Sequence, residues 1–221
     1  MSPQKPVIFF FSLGGDAMQG LFHDVFARLV DQVEQRATVK HAGNTRQALD
    51  LLYGDIKPKA ILVTDANIAT PRNRIVSEML VEFAQNGGTV VHGGSFSSMI
   101  RPPDFNRLLE KTWNLPWKFG SYHRTIVALN KVADGIPPGV KLPSSYSQKA
   151  VFLTNVNKNA AWYLPTEDSV VDSAVFAPNP VPTNETPIVF AKVGKGWLGY
   201  IGDVNAEEGS DAVVLAMLGL S

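Results

Sequence analysis

The sequence contains no cysteine, which excludes disulfides, thiolate metal ligands and a thiol nucleophile together. It also lacks net charge, because twenty Lys and Arg balance twenty Asp and Glu. The densest basic spot is only Lys57-Pro58-Lys59. No field draws in nucleic acid or an anionic membrane surface, so neither is expected as a partner. Long apolar runs are missing too. The first, residues 7–13, is too short for a membrane span or a signal peptide and has no small-residue cleavage site. A cytoplasmic protein is the expectation. Asn184-Glu185-Thr186 has the form of a glycosylation sequon, which without an export signal is read as chance. Histidine is scarce, and His23, His41, His92 and His123 form no pair at metal-ligand spacing on one helix. Neither a metal nor a cofactor is expected.

What is present is an ordinary apolar fraction, 45% of 221 residues, enough for one large core. The first half alternates. Residues 7–13 (Val-Ile-Phe-Phe-Phe-Ser-Leu) read as a strand buried on both faces, bounded by Pro6 and Gly14-Gly15. Residues 21–37 carry apolar side chains at helical spacing, and 38–42 read as a short strand. Asn44 should cap a second helix that ends at Gly54. Residues 60–65 are a third strand. Pro71 opens a helix with Ile75, Met79, Leu80 and Phe83 on one face, and a fourth strand starts at Thr89. Strands separated by helices imply right-handed crossovers and a doubly wound, mostly parallel α/β sheet.

The second half is less regular. Most prolines and three of the four tryptophans lie between Pro102 and Pro187. Residues 122–129, 150–155 and 173–176 read as strands, added antiparallel at a sheet edge. Residues 187–193 and 197–202 flank Gly194-Lys195-Gly196 as a hairpin, and a last helix covers about 210–220. With no repeat and no linker, the chain reads as one domain, 1–221, with an irregular Pro-rich insertion around 102–187.

Ligands of open parallel sheets bind at the carboxyl ends of the strands, near the point where strand order reverses. The candidates for ligand contact there are Gly14, Gly15, Asp65, Asn67, Gly93, Gly94 and Asn205. The same residues also suit plain turn chemistry, since strand-to-helix turns need glycine for positive φ and Asp, Asn or Ser as caps. Gly14-Gly15 lacks the Lys-Ser/Thr of a phosphate loop and the third glycine of a dinucleotide fingerprint. The tryptophans could line an aromatic or sugar-like ligand, or serve as packing.

Residues 83–96, Phe-Ala-Gln-Asn-Gly-Gly-Thr-Val-Val-His-Gly-Gly-Ser-Phe, resemble the helix, glycine turn, strand and elbow of class I glutamine amidotransferase-like domains. Residues 187–205, with their Gly-Lys-Gly turn, resemble the closing hairpin of that superfamily, and the trehalose-utilisation-type branch is nearest. The resemblance implies a catalytic cysteine at the elbow and a His-Pro-Glu after the late strand. Aligned by the strand, Gly93 falls roughly at the cysteine position, and Asp203-Val204-Asn205 falls where His-Pro-Glu would be. A divergent member without glutaminase activity is therefore expected, binding a small-molecule ligand at the strand ends.

Two other readings remain open. Gly93-Gly94-Ser95-Phe96-Ser97 partly matches the Gly-x-Ser-x-Gly nucleophile pattern. In a serine hydrolase of an amide or ester, Ser95 would attack, His92 or His123 would act as base, and Asp203 would orient it. Ser97 in place of the final glycine weighs against a tight elbow. The other reading is a structural or assembly protein that forms a homodimer through an exposed sheet edge or the Pro-rich insertion.

Overall fold

The computed structural model describes residues 5–173, 175 and 177–221. The apolar run after Pro6 becomes β1 (Val7–Phe11), and Ile8, Phe9, Phe10 and Phe11 are wholly buried because helices cover both sheet faces. Next come α1 (Asp16–Val25), α2 (Ala27–Arg36), β2 (Thr38–Ala42), α3 (Thr45–Tyr53) and β3 (Ala60–Val63). A 3₁₀ turn over Pro71–Asn73 leads into α4 (Arg74–Gln85), then β4 (Thr89–His92) and the short α5 (Phe96–Met99) and α6 (Pro102–Arg107). The second half holds β5 (Lys118–Leu129), β6 (Ser145–Thr154), β7 (Ala161–Pro165), β8 (Ile188–Val193), β9 (Gly196–Ile201) and α7 (Glu208–Met217).

The nine strands found among the described residues join one sheet in the order β2-β1-β3-β4-β9-β8-β7-β5-β6. β2, β1, β3, β4 and β9 run parallel, and the pairs from β9 to β6 are antiparallel. This is the expected doubly wound α/β sheet with antiparallel additions. One face packs Ile8, Phe10, Leu62 and Val91 under α1, α2 and α7. The other packs Phe9, Phe11, Ile61, Val63 and Val90 under α3, α4, α5 and α6.

The last strand in the order is not a bare edge. β6 pairs with β5 on one side, while on the other Ala150 bridges Asp203 and Leu153 bridges Thr186. Val151 N–H donates to Gly202 O at 2.9 Å, Val204 N–H to Lys149 O at 3.0 Å and Leu153 N–H to Thr186 O at 2.8 Å. The antiparallel half therefore curls round until its final strand meets the exit of β9.

Several local expectations need correction. The helix over 21–37 is interrupted at Phe26 (φ −107°, ψ 27°), and Phe22 and Phe26 stack there with centroids 5.5 Å apart. The buried face of α4 is Val76, Ser77, Leu80 and Ala84, whereas Ile75 is 54% exposed. Pro71 opens a 3₁₀ turn, and the α-helix itself begins only at Arg74. β5 starts earlier than expected, at Lys118, because a bulge between Phe119 and Tyr122 interrupts its alternation. β6 likewise starts at Ser145. The strand expected over 173–176 falls partly on Ala174 and Phe176, which lie outside the described residues, and Ser173 and Val175 belong to no strand. Trp113, Trp117 and Trp162 are buried packing residues. No helix among the described residues is long and apolar enough to cross a membrane.

Candidate functional site

The strand order reverses beside β1, which has β2 on one side and β3 on the other. The turns after β1 and β3 are tied together there. Asp65 is 1% exposed, and its Oδ2 accepts from Gly14 N–H at 2.9 Å while Oδ1 accepts from Asn67 N–H at 2.7 Å. Burial raises the Asp65 pKa, and the two backbone donors and the charge of Arg72 oppose the rise. A Cβ on Gly14 would fall 2.3 Å from Met18 Cγ and 2.6 Å from Asn67 Nδ2. Gly14, Asp65 and Asn67 thus share one place, with both carboxylate oxygens engaged by backbone. Gly15 turns the chain alongside, donating its N–H to Gly43 O at 2.9 Å.

The turn after β4 carries His92, Gly93, Gly94 and Ser95. Gly93 N–H continues the ladder to Val63 O at 3.0 Å. The left-handed position falls on Gly94, with φ +58°. A Cβ there would lie 2.8 Å from the Phe22 ring and 3.2 Å from Thr64 O, so the strained position of the elbow has no room for a side chain. Ser95 precedes α5, 4% exposed, and its carbonyl accepts from Ser98 Oγ at 3.1 Å. His92 packs between Phe96 (centroids 4.6 Å) and Trp113 (5.9 Å). Neither of its ring nitrogens has a hydrogen-bond partner, and burial lowers its pKa to about 3. Ser95 and His92, neighbours on the same turn, make no hydrogen bond with each other.

His123 and Asp203 belong to other surroundings. The His123 ring stacks on Phe152 at 4.3 Å, and its Nε2 is buried without a partner. Its pKa is lowered chiefly by burial, with the charge of Glu185 opposing. Asp203 is 1% exposed and accepts from Asn205 N–H and Glu207 N–H, both at 2.8 Å. Burial raises its pKa, and bonds from Ser210, Asn205 and Glu207 oppose the rise. The Asn205 side-chain amide lies 2.8 Å from Arg124 Nη2, and the orientation that satisfies both of its neighbours turns its oxygen to that donor; the same guanidinium pairs with Glu207. Neither His92 nor His123 offers Nε2 to a hydroxyl or a carboxylate, so Ser95, His92, His123 and Asp203 form no hydrogen-bonded relay. Among the described residues, no three His, Asp or Glu side chains converge as a metal site.

A cleft of about 540 Å³ lies beside the carboxyl ends of β3 and β4, where the sequence pattern gives no sign of it. Asn67 and Thr70 line it from the turn after β3, Met99 and Ile100 from the end of α5, and Arg101, Asp104 and Arg107 from α6. Only Asn67 among the sequence candidates is part of it. Asp104 accepts from Arg101 Nε at 2.7 Å and from Arg107 Nη2 at 2.6 Å, and these bonds hold its carboxyl below the usual range. In sequence, Arg-Pro-Pro-Asp-Phe-Asn-Arg reads as i,i+3 pairing on a solvated helix. Its tie to the turn after β3 is invisible without the fold.

Neither a protein-family model nor a curated protein sequence matches the chain. Solved structures do resemble it. A ThuA-like protein from Bacteroides uniformis superposes with a TM-score of 0.59 at 10% identity, over 98% of this chain and 91% of that one. A ThuA-like protein from Parabacteroides merdae gives 0.58 at 12% identity, over 98% and 89%. A cytoplasmic protein from Salmonella typhimurium gives 0.56 at 11% identity, over 96% and 98%. At such identities the likeness is one of fold.

Proposed function

We propose that this chain is a single-domain, divergent member of the class I glutamine amidotransferase-like superfamily. In this reading it binds a small ligand in the β3–β4 cleft and hydrolyses no glutamine. The ThuA-like fold of its structural neighbours supports the superfamily.

The observation that carries the reading is the turn at Gly94. A nucleophile elbow sets its reactive side chain on a strained strand-to-helix turn. Here that position is a glycine with φ +58°, and the Phe22 ring fills the space where a Cβ would go. Ser95, one residue on, has no imidazole bonded to it, and an unassisted hydroxyl is a poor nucleophile at neutral pH. Binding then falls to the neighbouring cleft, which combines polar groups with the apolar Met99 and Ile100.

The test has two arms. Purified protein should release no ammonia from glutamine and should cleave no generic ester or amide. A thermal-shift screen of small molecules should find stabilisers whose effect disappears in Met99→Trp, which fills the cleft. Hydrolysis that Ser95→Ala abolishes would sink the proposal in favour of a serine enzyme. Stabilisers that act undiminished on Met99→Trp would move the site elsewhere.

A further inference from the structure

We infer that the β3–β4 cleft takes a small organic anion, a carboxylate or phosphate ester carried on an apolar body; this rests on the ligand-binding reading above. The charge balance of the cleft is the first argument. Arg101 and Arg107 face it, with Asp104 as the one acidic side chain of the lining, so it carries an excess positive charge. Arg72 lies beside the lining residue Asn67, reaching Leu13 O at 3.2 Å and Asn67 Oδ1 at 3.5 Å. Asp65 lies close enough for Arg72 to act on its carboxylate, so that pair is balanced and the excess of the cleft rests on Arg101 and Arg107 against Asp104.

Orientation is the second argument. A guanidinium carries five N–H donors in a fixed fork. Asp104 engages Arg101 through Nε and Nη2, and Arg107 through Nη2. The remaining donors of both forks stay available while the shared carboxylate fixes their direction. Less side-chain freedom is then lost when a ligand arrives. Lone surface arginines lack this, and exposed ion pairs on their own contribute little.

The third argument is the apolar part of the lining. Ala66, Ala69 and Pro71, with Met99 and Ile100, offer apolar surface beside the neutral side chain of Asn67. A bare inorganic ion would leave that surface uncovered. An anion with a short hydrocarbon or ring body covers both halves.

Amide chemical-shift titrations test this with three probes: phenyl phosphate, hexanoate and the neutral phenyl β-glucoside. Shifts around Asn67, Thr70 and Met99 with phenyl phosphate or hexanoate are expected, and whichever binds more tightly names the head group. The pair Arg101→Gln/Arg107→Gln should weaken that binding about tenfold or more, as loss of charge-assisted bonds does. Its spectrum should otherwise stay native, since both side chains are exposed. Added NaCl should weaken the wild type more than the double variant. Anion binding that the double variant retains in full overturns the inference. A glucoside that binds the cleft as well as the anions also overturns it, but leaves the ligand-binding reading standing. Silence at the cleft with all three probes overturns both.

Discussion

His92 sits at the end of β4 among Phe96 and Trp113 with both nitrogens unpartnered, and burial keeps it neutral down to a pKa of about 3. An unfolded chain takes up that proton near the ordinary imidazole value of 6.5. The folded pKa is thus the lower one, so the native state is favoured above pH 6.5 and loses stability as pH falls toward 3. The slope per group approaches about 1.4 kcal/mol per pH unit. Urea denaturation from pH 7 to pH 4 should show a shallower acid decline in His92→Leu than in the wild type. At pH 7 the variant should be little changed, since it removes a buried polar ring that had no partner. Equal slopes would place the acid sensitivity elsewhere, on His41 or His123, whose pKa values burial also lowers. Gly94 gives a second test at this scale. Gly94→Ala should cost about 1–2 kcal/mol for the left-handed backbone alone, and more from the contact with Phe22. In a double-mutant cycle, Phe22→Leu should relieve part of that excess.

Among the elements, the passage from β9 to α7 depends on Asp203, whose carboxylate gathers the N–H groups of Asn205 and Glu207 at 2.8 Å. Asp203→Ala should destabilise the protein by about 1–3 kcal/mol, as expected when buried donors lose their acceptor. Asp203→Asn, which keeps one oxygen, should cost less, and thermal melts would rank the two. Equal melting temperatures for all three proteins would contradict a capping role. The parallel half was legible because its strands are apolar runs bounded by Pro6, Gly14-Gly15 and Asn86-Gly87-Gly88, and because Asn44 caps α3 by accepting from Gln47 N–H. The break at Phe26 was not, since Phe22, Phe26, Leu29, Val30 and Val33 keep helical spacing straight through it. β7, Ala161–Pro165, was missed because five residues ending in proline, paired with strands far away in sequence, give almost no local signal. At the site, the turn pairing Asp65 with Asn67 could be anticipated from Asp-x-Asn chemistry. The Arg101–Asp104–Arg107 cluster could not, because its meaning depends on the neighbouring turn and not on its own residues.

At the scale of the molecule, the curl of the antiparallel half decides which amides face water. β6 closes the strand order, yet Val151 and Leu153 donate to Gly202 and Thr186, and Val204 donates back to Lys149. Hydrogen exchange should therefore protect these three amides as strongly as those of β9, while β2, whose outer side has no neighbouring strand in the sheet order, exchanges faster. Rapid exchange at Val151 and Leu153 would mean that the closure opens in solution. The closure also matters when the chain is put under mechanical load. A strand held on one side can be unzipped bond by bond, whereas one gripped on both sides must shear several bonds together. β5, β6, β7, β8 and β9 each have both sides engaged, at least over part of their length, and β2 does not. Pulled in an optical trap, the molecule should yield first at β2 and hold longest in the ring closed by Ala150 and Asp203.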